Sequence, residues 1–221
     1  PAAKANGVKI TNVPAYSPES IAEFAVMMSL YLSRKVGYMR QQLDQKHEFH
    51  FSPNFMGRLI SEQTVGVIGT GRIGQAAIKL FKGLGAKVIA YDKYPLKNTD
   101  NSFVYAKSLE QIYQESDIIS IHMPATDDNY HQFNHEVFEQ MKDTAILINT
   151  ARGSIVDTDD LIFALQSGEI AGAGIDTIEN ESADLQDSRS TKKVNDPDVF
   201  HPVQLHDILA VDFSFYNCDF S

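Results

Sequence analysis

The sequence predicts an α/β fold, a doubly wound parallel sheet with helices on both faces. Two observations carry this prediction. Short, continuously apolar segments alternate with helical segments from residue 64 to residue 176, and the run VGVIGTGRIG at residues 65–74 breaks into three glycines directly after one such segment. Apolar strands that alternate with helices imply a parallel sheet that is covered on both faces.

The first element is a strand-like stretch from Val8 to Val13, followed by a helix. Ser17 is placed to cap that helix and Pro18 suits its first position, so we expect a helix from Pro18 to about Val36. Apolar residues occupy nearly all of its circumference, which means that it needs cover on two sides. The pattern leaves two interpretations open, a buried core helix or a subunit interface.

Polar residues from Arg40 to Ser61 indicate an arm or a long loop, after which the pattern becomes regular. The predicted strands are 64–69, 86–92, 117–123, 144–150 and 170–176. The predicted helices are RIGQAAIKLFKGLG, SLEQIYQES, HEVFEQMK and TDDLIFALQSG. Residues 179–198 are polar enough to form a surface loop.

Composition limits the classes of function. The chain has 221 residues, of which 43% are hydrophobic and 22% charged, as in an ordinary globular protein. Its net charge of −10 disfavours nucleic acid and anionic lipid as partners, and no apolar run approaches the length of a membrane span. The single cysteine, Cys218, excludes an internal disulfide framework, so we expect a cytoplasmic protein. Because the chain opens on Pro1 rather than Met, we also expect a fragment.

The three glycines, Gly69, Gly71 and Gly74, lie in the context of a dinucleotide site. A strand ends at Gly69, a helix begins by Ile73, and a second strand ends in Asp92, eighteen residues past Gly74. The glycines allow a tight turn, close approach of a pyrophosphate and close helix–strand packing. Asp92 can accept hydrogen bonds from a ribose and would repel a 2′-phosphate. The pattern therefore predicts a Rossmann-type domain that prefers NAD to NADP, a preference that the neighbouring Lys93 weakens.

The carboxyl ends of the later strands carry further candidates, because ligands bind beyond those ends in an open α/β sheet. Arg152 can hold a small carboxylate through two parallel hydrogen bonds, or it can be a surface arginine in an ion pair. Asp176 and Glu181 suit either a site or a solvated acidic loop. His122, at a buried strand end, favours a packing role over that of an acid or a base.

Together these residues resemble the D-isomer-specific 2-hydroxyacid dehydrogenases, in the branch of D-lactate and D-2-hydroxyisocaproate dehydrogenases. The resemblance rests on NVPAYSPESIAEFA, TVGVIGTGRIGQAAIKLFKGLGAKVIAYD, INTARGSIVDTDDL and IAGAGIDTIENE. It implies NADH-dependent reduction of a small 2-keto acid to the D-hydroxy acid, or the reverse. It also implies a homodimer through the helix at residues 18–36, which favours the interface interpretation.

The resemblance assigns roles to individual residues. It makes Arg152 the ligand of the substrate carboxylate, Glu181 the acid that holds a catalytic histidine, and Tyr16 a hinge residue near the substrate. The glycines Gly69, Gly71 and Gly74, with Arg72 and Ile73, would line the pyrophosphate, and Asp92 the ribose. Met123, Pro124 and Asn129 would border the adenosine side, while Thr150, Ala151 and Asp176 would meet the nicotinamide half, beside Arg152. No metal ligand is implied.

Two departures from the family pattern stand out. The family's catalytic histidine follows the last strand in a stretch of the form S/T-P-H-x-A-[FY]-Y, and the corresponding stretch here, HDILAVDFSFYN, places Phe213 at that position, or Asp212 in a shifted register. His201 and His206 lie several residues away and favour a surface role.

The second departure concerns domains. We expect residues 1–15 to be a remnant of a catalytic domain, 16–217 the NAD-binding domain and 218–221 the start of a return segment. The rival interpretation is an inactive NAD-binding or dimerisation module. A Rossmann methyltransferase or sugar-nucleotide enzyme would leave INTARG and IDTIENE unexplained.

Overall fold

The sheet has seven strands, all parallel, in the order β3-β2-β1-β4-β5-β6-β7. These strands come from a computed structural model that describes residues 6–9, 17–46, 53–96, 103–179 and 208–210. The strands are β1 (Thr64–Ile68), β2 (Lys87–Tyr91), β3 (Val104–Tyr105), β4 (Ile118–Ile121), β5 (Ile146–Asn149), β6 (Gly172–Ile175) and β7 (Ile208–Ala210). The predicted doubly wound fold is confirmed.

The strand order places a switch point between β1 and β4. The first strand, β1, lies in the interior of the sheet. From β1 the chain moves outward through β2 and β3 and returns to the other side of β1 as β4. Gly66 of β1 is in register with Ile89 on one side and Ile119 on the other. Loops that leave β1 and β4 diverge above this point, which opens a crevice at the carboxyl edge of the sheet.

Helices cover both faces of the sheet. They are α1 (Pro18–Ser33), α2 (Val36–Lys46), α3 (Arg72–Gly83), α4 (Leu109–Glu115), α5 (His135–Phe138) and α6 (Thr158–Ser167). Alternate strand residues point to opposite faces: Ile118 and Ile148 belong to the core shared with α1 and α3, and Ile119 and Leu147 to the core shared with α4 to α6. The fully apolar strands thus supply two cores at once.

The predicted helix over residues 18–36 is wrong at its end. Helix α1 stops at Ser33, and Lys35 has a φ of 54°, after which α2 begins at Val36. The Arg58 N–H donates to the Ser33 carbonyl at 2.9 Å, so an incoming chain segment satisfies a terminal carbonyl of α1. The expected loop at residues 40–61 is also wrong in part, because residues 40–46 continue α2 as a polar helix.

Two smaller expectations fail for local reasons. Ser17 precedes α1 but makes no side-chain cap hydrogen bond, since its left-handed conformation (φ 36°, ψ 61°) departs from the extended backbone that lets a cap reach the second and third amides. Pro18 does occupy the first turn, as predicted. The helix predicted over HEVFEQMK is reduced to His135–Phe138. Of the stretch from 8 to 13, only residues 8–9 are described, and they form no strand.

None of the helices in the described ranges combines the length and hydropathy needed to cross a membrane. Within the same ranges, no cluster of three or more His, Cys, Asp or Glu side chains is placed to hold a metal ion.

Candidate functional site

The glycine turn after β1 is shaped by close backbone contact. Gly69 has a φ of 94°, and a Cβ on it would lie 2.7 Å from the His122 carbonyl carbon at the end of β4. A Cβ on Gly74 would overlap the Gly69 carbonyl oxygen. Both positions therefore require glycine, because any side chain would push the turn away from the neighbouring backbone.

Gly71 differs from the other two glycines. A Cβ on Gly71 would meet no atom of the described residues within 4 Å, so packing among these residues does not demand glycine there. Gly71 is the N-cap of α3 and supplies no side-chain cap, while Arg72 is exposed and Ile73 half-buried in the first helical turn. An open, uncapped helix N-terminus beside a glycine is suited to an anion that approaches the backbone closely.

Asp92 follows β2 directly and is held in one orientation. Its Oδ2 accepts hydrogen bonds from the Thr70 amide at 2.6 Å and the Thr70 hydroxyl at 2.9 Å, and its Oδ1 accepts from the Tyr94 amide at 2.8 Å. The Thr70 hydroxyl also lies 2.9 Å from the Tyr105 hydroxyl on β3. These contacts fix the carboxylate beside the glycine turn and leave it lone pairs for a further donor.

A cleft of about 550 Å³ lies over the switch point. Its walls are the glycine turn, Asp92 and the segment that follows β4, and they include three predicted site residues, Met123, Pro124 and Asn129. Asn129 accepts from the Thr126 amide at 2.7 Å and donates to the Pro124 carbonyl at 2.9 Å, so it shapes this wall. Lys93 and Asp128, which both line the cleft, form an exposed ion pair at 3.3 Å.

His122 forms part of the same wall and is suited to packing. Its Nε2 lies 2.9 Å from the Ser120 hydroxyl, and burial lowers the pKa of the imidazole to about 4. The ring is therefore neutral at pH 7 and is not a source of protons there. This supports the interpretation of His122 as a packing residue.

The turn after β5 presents Arg152 at the surface. Asn149 is fully buried. Its side-chain oxygen accepts from the Ala151 backbone N–H at 3.0 Å, and its side-chain nitrogen donates to the Arg152 carbonyl at 2.9 Å. The Arg152 guanidinium donates to the Ala151 carbonyl at 2.6 Å and makes no salt bridge with any described residue. Thr150 is buried, and its hydroxyl has no hydrogen-bond partner in the described part of the chain.

Asn149 was missed by the sequence reasoning, although a signal existed. An Asn side chain that bonds the amide two residues ahead forms an Asx-turn, and this one directly precedes TAR.

The loop after β6 packs against this turn. The Asp176 amide donates to the Asn149 carbonyl at 2.9 Å, and a Cβ on Gly153 would overlap the backbone of Ile178 and Glu179. Arg152 and Asp176 are thus carried by two loops in backbone contact. Tyr16, Glu181, Asp212, Phe213, His201 and His206 lie outside the described residues.

The sequence reasoning also missed a group formed by His131, Asp157 and Glu179, which connects these loops. His131 lies between two carboxylates, with its Nδ1 2.9 Å from Asp157 Oδ2 and its Nε2 2.5 Å from Glu179 Oε1. No sequence signal pointed to it, because the three residues are separated by more than twenty positions each.

Comparisons with known proteins agree with this geometry. A family described as "D-isomer specific 2-hydroxyacid dehydrogenase, NAD binding domain" matches residues 26–200. A D-2-hydroxyacid dehydrogenase (NAD+) of Lacticaseibacillus paracasei is 48% identical over 196 residues, covering 89% of this chain and 58% of the relative. A D-lactate dehydrogenase of Streptococcus agalactiae serotype V is 42% identical over 217 residues, covering 98% of this chain and 66% of the relative.

Solved structures give the same result. D-2-hydroxyisocaproate dehydrogenase superposes with a TM-score of 0.84 at 45% identity, covering 94% of this chain and 62% of that chain. A D-lactate dehydrogenase with NAD+ from Lactobacillus jensenii superposes with a TM-score of 0.81 at 37% identity, over 93% of this chain and 62% of that chain. This chain thus spans less than two thirds of the length of these relatives.

Proposed function

Because this chain belongs to the D-isomer-specific 2-hydroxyacid dehydrogenase family, as its NAD-binding domain, we propose that the whole protein reduces a small 2-keto acid to the D-2-hydroxy acid with NADH. The observation that carries the proposal is the pairing of an open glycine turn with a fixed acid at the end of the next strand. Gly71 leaves space within 4 Å of its Cβ position, and Asp92 is held beside that space by Thr70.

The pyrophosphate binds at the N-terminus of α3. The first-turn amides and the positive end of the helix dipole face the anion there, and Gly71 lets the backbone approach it. Arg72, which is exposed in the same turn, adds positive charge, and Ile73 contributes apolar contact.

Asp92 accepts hydrogen bonds from the adenosine ribose hydroxyls. Its carboxylate is already oriented by three donors, so little conformational freedom is lost when the ribose arrives. A 2′-phosphate would bring like charge to the same place, which favours NAD over NADP. Met123, Pro124 and Asn129 enclose the adenosine on the other side of the cleft.

The substrate carboxylate binds Arg152. When bound, NADH supplies the hydride for the keto carbon. The bond to the Ala151 carbonyl occupies one donor of the guanidinium and leaves the rest of its exposed fork for a bidentate contact. Thr150, Ala151 and Asp176 would border the nicotinamide, and the buried Thr150 hydroxyl, which lacks a described partner, is available to a ligand.

Protonation of the keto oxygen requires an acid. Glu181 would support a histidine in this role by favouring its charged form, and Tyr16 would lie near the substrate. In our domain proposal, residues 16–217 form the cofactor domain, with 1–15 and 218–221 belonging to a substrate domain.

Turnover tests the proposal directly. The protein is incubated with NADH and pyruvate, 2-ketoisocaproate or phenylpyruvate, and loss of absorbance at the NADH band is followed while NADH binding is measured by fluorescence. We expect oxidation of NADH by at least one keto acid. Absence of both binding and turnover would contradict the proposal.

The alternative is an NAD-binding module without catalysis, and one observation favours it. The position of the family's catalytic histidine falls on Phe213, which carries no titratable proton. NADH binding without turnover of any of the three keto acids would select this alternative.

We also propose a cytoplasmic homodimer that pairs through α1. Met27 is 40% exposed on this helix, and Ile21, Phe24 and Tyr31 are only half-buried, so one face of α1 is available for a second copy. Met27→Glu is expected to yield monomers in sedimentation velocity, whereas Glu23→Gln is not. A dimer that persists in Met27→Glu would place the interface elsewhere.

A further inference from the structure

His131 occupies a costly backbone conformation between two acids. Its φ is 50°, a value that bulky residues seldom adopt and that persists only when the surroundings fix it. Its ring stacks on Tyr130 with centroids 3.9 Å apart, and its two nitrogens face Asp157 and Glu179. The position is therefore held by contacts on both ring nitrogens and one ring face.

Both acids are also bound to the N-terminus of α6. Asp157 caps this helix by accepting from the Asp159 and Asp160 amides, each at 3.1 Å. The second oxygen of Glu179 accepts from the Thr158 hydroxyl at 2.9 Å and its amide at 3.3 Å. The two ring nitrogens of His131 therefore lie within hydrogen-bond distance of both acids. His131 thus bridges the α6 cap and Glu179.

Three loops meet at this bridge. The His131 amide donates to the Ser154 carbonyl at 2.9 Å and the Phe133 amide to the Ile155 carbonyl at 3.0 Å, which ties the loop after β4 to the turn that carries Arg152. Glu179 lies in the segment 176–179 that follows β6. The cleft wall that is proposed to enclose the adenosine begins at Met123 in the first of these loops, and the proposed nicotinamide contacts lie in the other two.

We propose that His131 is a positioning residue that holds segment 176–179 against the α6 N-terminus and thereby fixes the nicotinamide side of the site relative to the adenosine side. The proposal rests on the proposed binding of NAD across these loops. His131 acts through Glu179 and does not touch the reacting atoms.

The test compares two ligands in His131→Gln. Glutamine can donate to one carboxylate but cannot span both. We expect NADH affinity to fall by about tenfold, whereas affinity for ADP-ribose, which lacks the nicotinamide, changes less than about twofold. A merely structural defect would weaken both ligands alike. The matched control is His135→Gln, since His135 also faces two carboxylates, Glu139 and Glu169, each at 3.6 Å, but neither of them lies in segment 176–179.

A second variant keeps the proposal testable if His131→Gln folds poorly. Glu179→Gln should reproduce the selective loss of NADH affinity, and the double variant should lose no more than either single variant, because the two side chains act as one unit. Equal losses for NADH and ADP-ribose, or fully additive losses in the double variant, would overturn the proposal.

Hydrogen exchange separates this inference from the proposed function. In the ligand-free protein, the amides of residues 176–179 should exchange several-fold faster in His131→Gln than in the unaltered protein. Their exchange rates in His135→Gln should equal those of the unaltered protein. If the unaltered protein bound no NADH, the proposed function would fail, and exchange alone would decide on the positioning role. Unchanged exchange at 176–179 in His131→Gln would overturn it.

Discussion

In the proposed NAD site, the residues assigned to the adenosine half directly follow β1, β2 and β4, whereas those assigned to the nicotinamide half lie in the loops after β5 and β6. In the first half, each group is fixed by local contacts. Gly69, with a φ of 94°, packs against the backbone of His122, and Asp92 accepts three hydrogen bonds. In the second half, Arg152 is exposed, and within the described part of the chain its side chain makes a single hydrogen bond, to the neighbouring Ala151 carbonyl.

This difference separates binding from chemistry. A cofactor can be held by a turn and an acid that lie within 30 residues of each other, and both are in place in the chain alone. In the proposed function, the substrate is oriented by Arg152, whose exposed guanidinium donates to the Ala151 carbonyl and has further donors for a ligand. We therefore expect substitutions in the second half to alter turnover most, and those in the first half to alter NADH affinity.

The largest effect is expected for Arg152→Gln. Loss of a bidentate, charge-assisted contact should lower kcat/KM for the keto acid several hundred-fold. This corresponds to a loss of about 3 to 4 kcal/mol of transition-state stabilisation, because each such hydrogen bond contributes about 1.5 to 3 kcal/mol. NADH affinity should change by less than about threefold. Arg152→Lys should restore little, since an ammonium cannot match the planar fork.

Arg34→Gln, at the far end of α1, is the control for loss of one positive charge. If Arg34→Gln and Arg152→Gln reduced steady-state kcat/KM equally, the contrast between the two halves would be lost.

The next effect concerns His122 and acid stability. Burial lowers its folded pKa from 6.5 to about 4, so the unfolded chain binds the proton more readily. The contribution to stability is complete above pH 6.5 and is lost as pH falls from 6.5 towards 4, by up to about 3 kcal/mol. Urea unfolding between pH 7 and pH 4 should show a shallower pH dependence in His122→Gln than in the unaltered protein. An equal pH dependence of the unfolding free energy in the two proteins would mean that burial does not lower the pKa of His122.

Asp92→Asn should change cofactor choice. The amide keeps the size of the side chain but removes the charge, so NADH affinity should fall by about tenfold while NADPH affinity is unchanged or rises. Fluorescence titration with both cofactors measures the ratio. Asp128→Asn is the control, because Asp128 also lines the cleft but lies in the turn at Asp127–Asn129 after β4. A ratio that shifts equally in both variants would assign the preference to overall charge.

Gly71→Ala gives the smallest and most local test. Its φ of −63° suits alanine and a Cβ would meet no atom of the described residues within 4 Å, so Tm should fall by no more than about 2 to 3 °C, the cost of replacing a glycine N-cap by alanine. NADH affinity should nevertheless fall several-fold, because the methyl group would occupy the approach of the pyrophosphate. Gly83→Ala, where a Cβ also meets nothing, is the control. Unaltered NADH affinity in Gly71→Ala would show that the pyrophosphate does not approach this turn.

The fold was predictable where the pattern was strong. Strands β1, β2, β4, β5 and β6 are short apolar runs between helices, and the ends of each were located to within two residues. Strand β3 has two residues and leaves no periodic signal. Helix α2 was missed because its polar residues resemble a loop, and the end of α1 depends on a hydrogen bond from Arg58, 25 positions beyond Ser33.

The site divides in the same way. The glycine turn and Asp92 form a motif whose spacing is set by one βαβ unit, so the sequence alone locates them. The group of His131, Asp157 and Glu179 is assembled only when three loops meet at one edge of the sheet, and no spacing rule relates these residues. Residues that act by holding other loops in place thus become visible only in three dimensions.

A fluorescence titration of this chain with NADH and, in parallel, with NADPH probes the proposed NAD site most directly. We predict saturable binding of NADH and at least about tenfold weaker binding of NADPH, because the fixed Asp92 carboxylate would accept from ribose hydroxyls and repel a 2′-phosphate. Equal binding of the two cofactors, or no binding of NADH, would contradict the claim that the turn at Gly69–Gly74 and Asp92 form a self-contained NAD site.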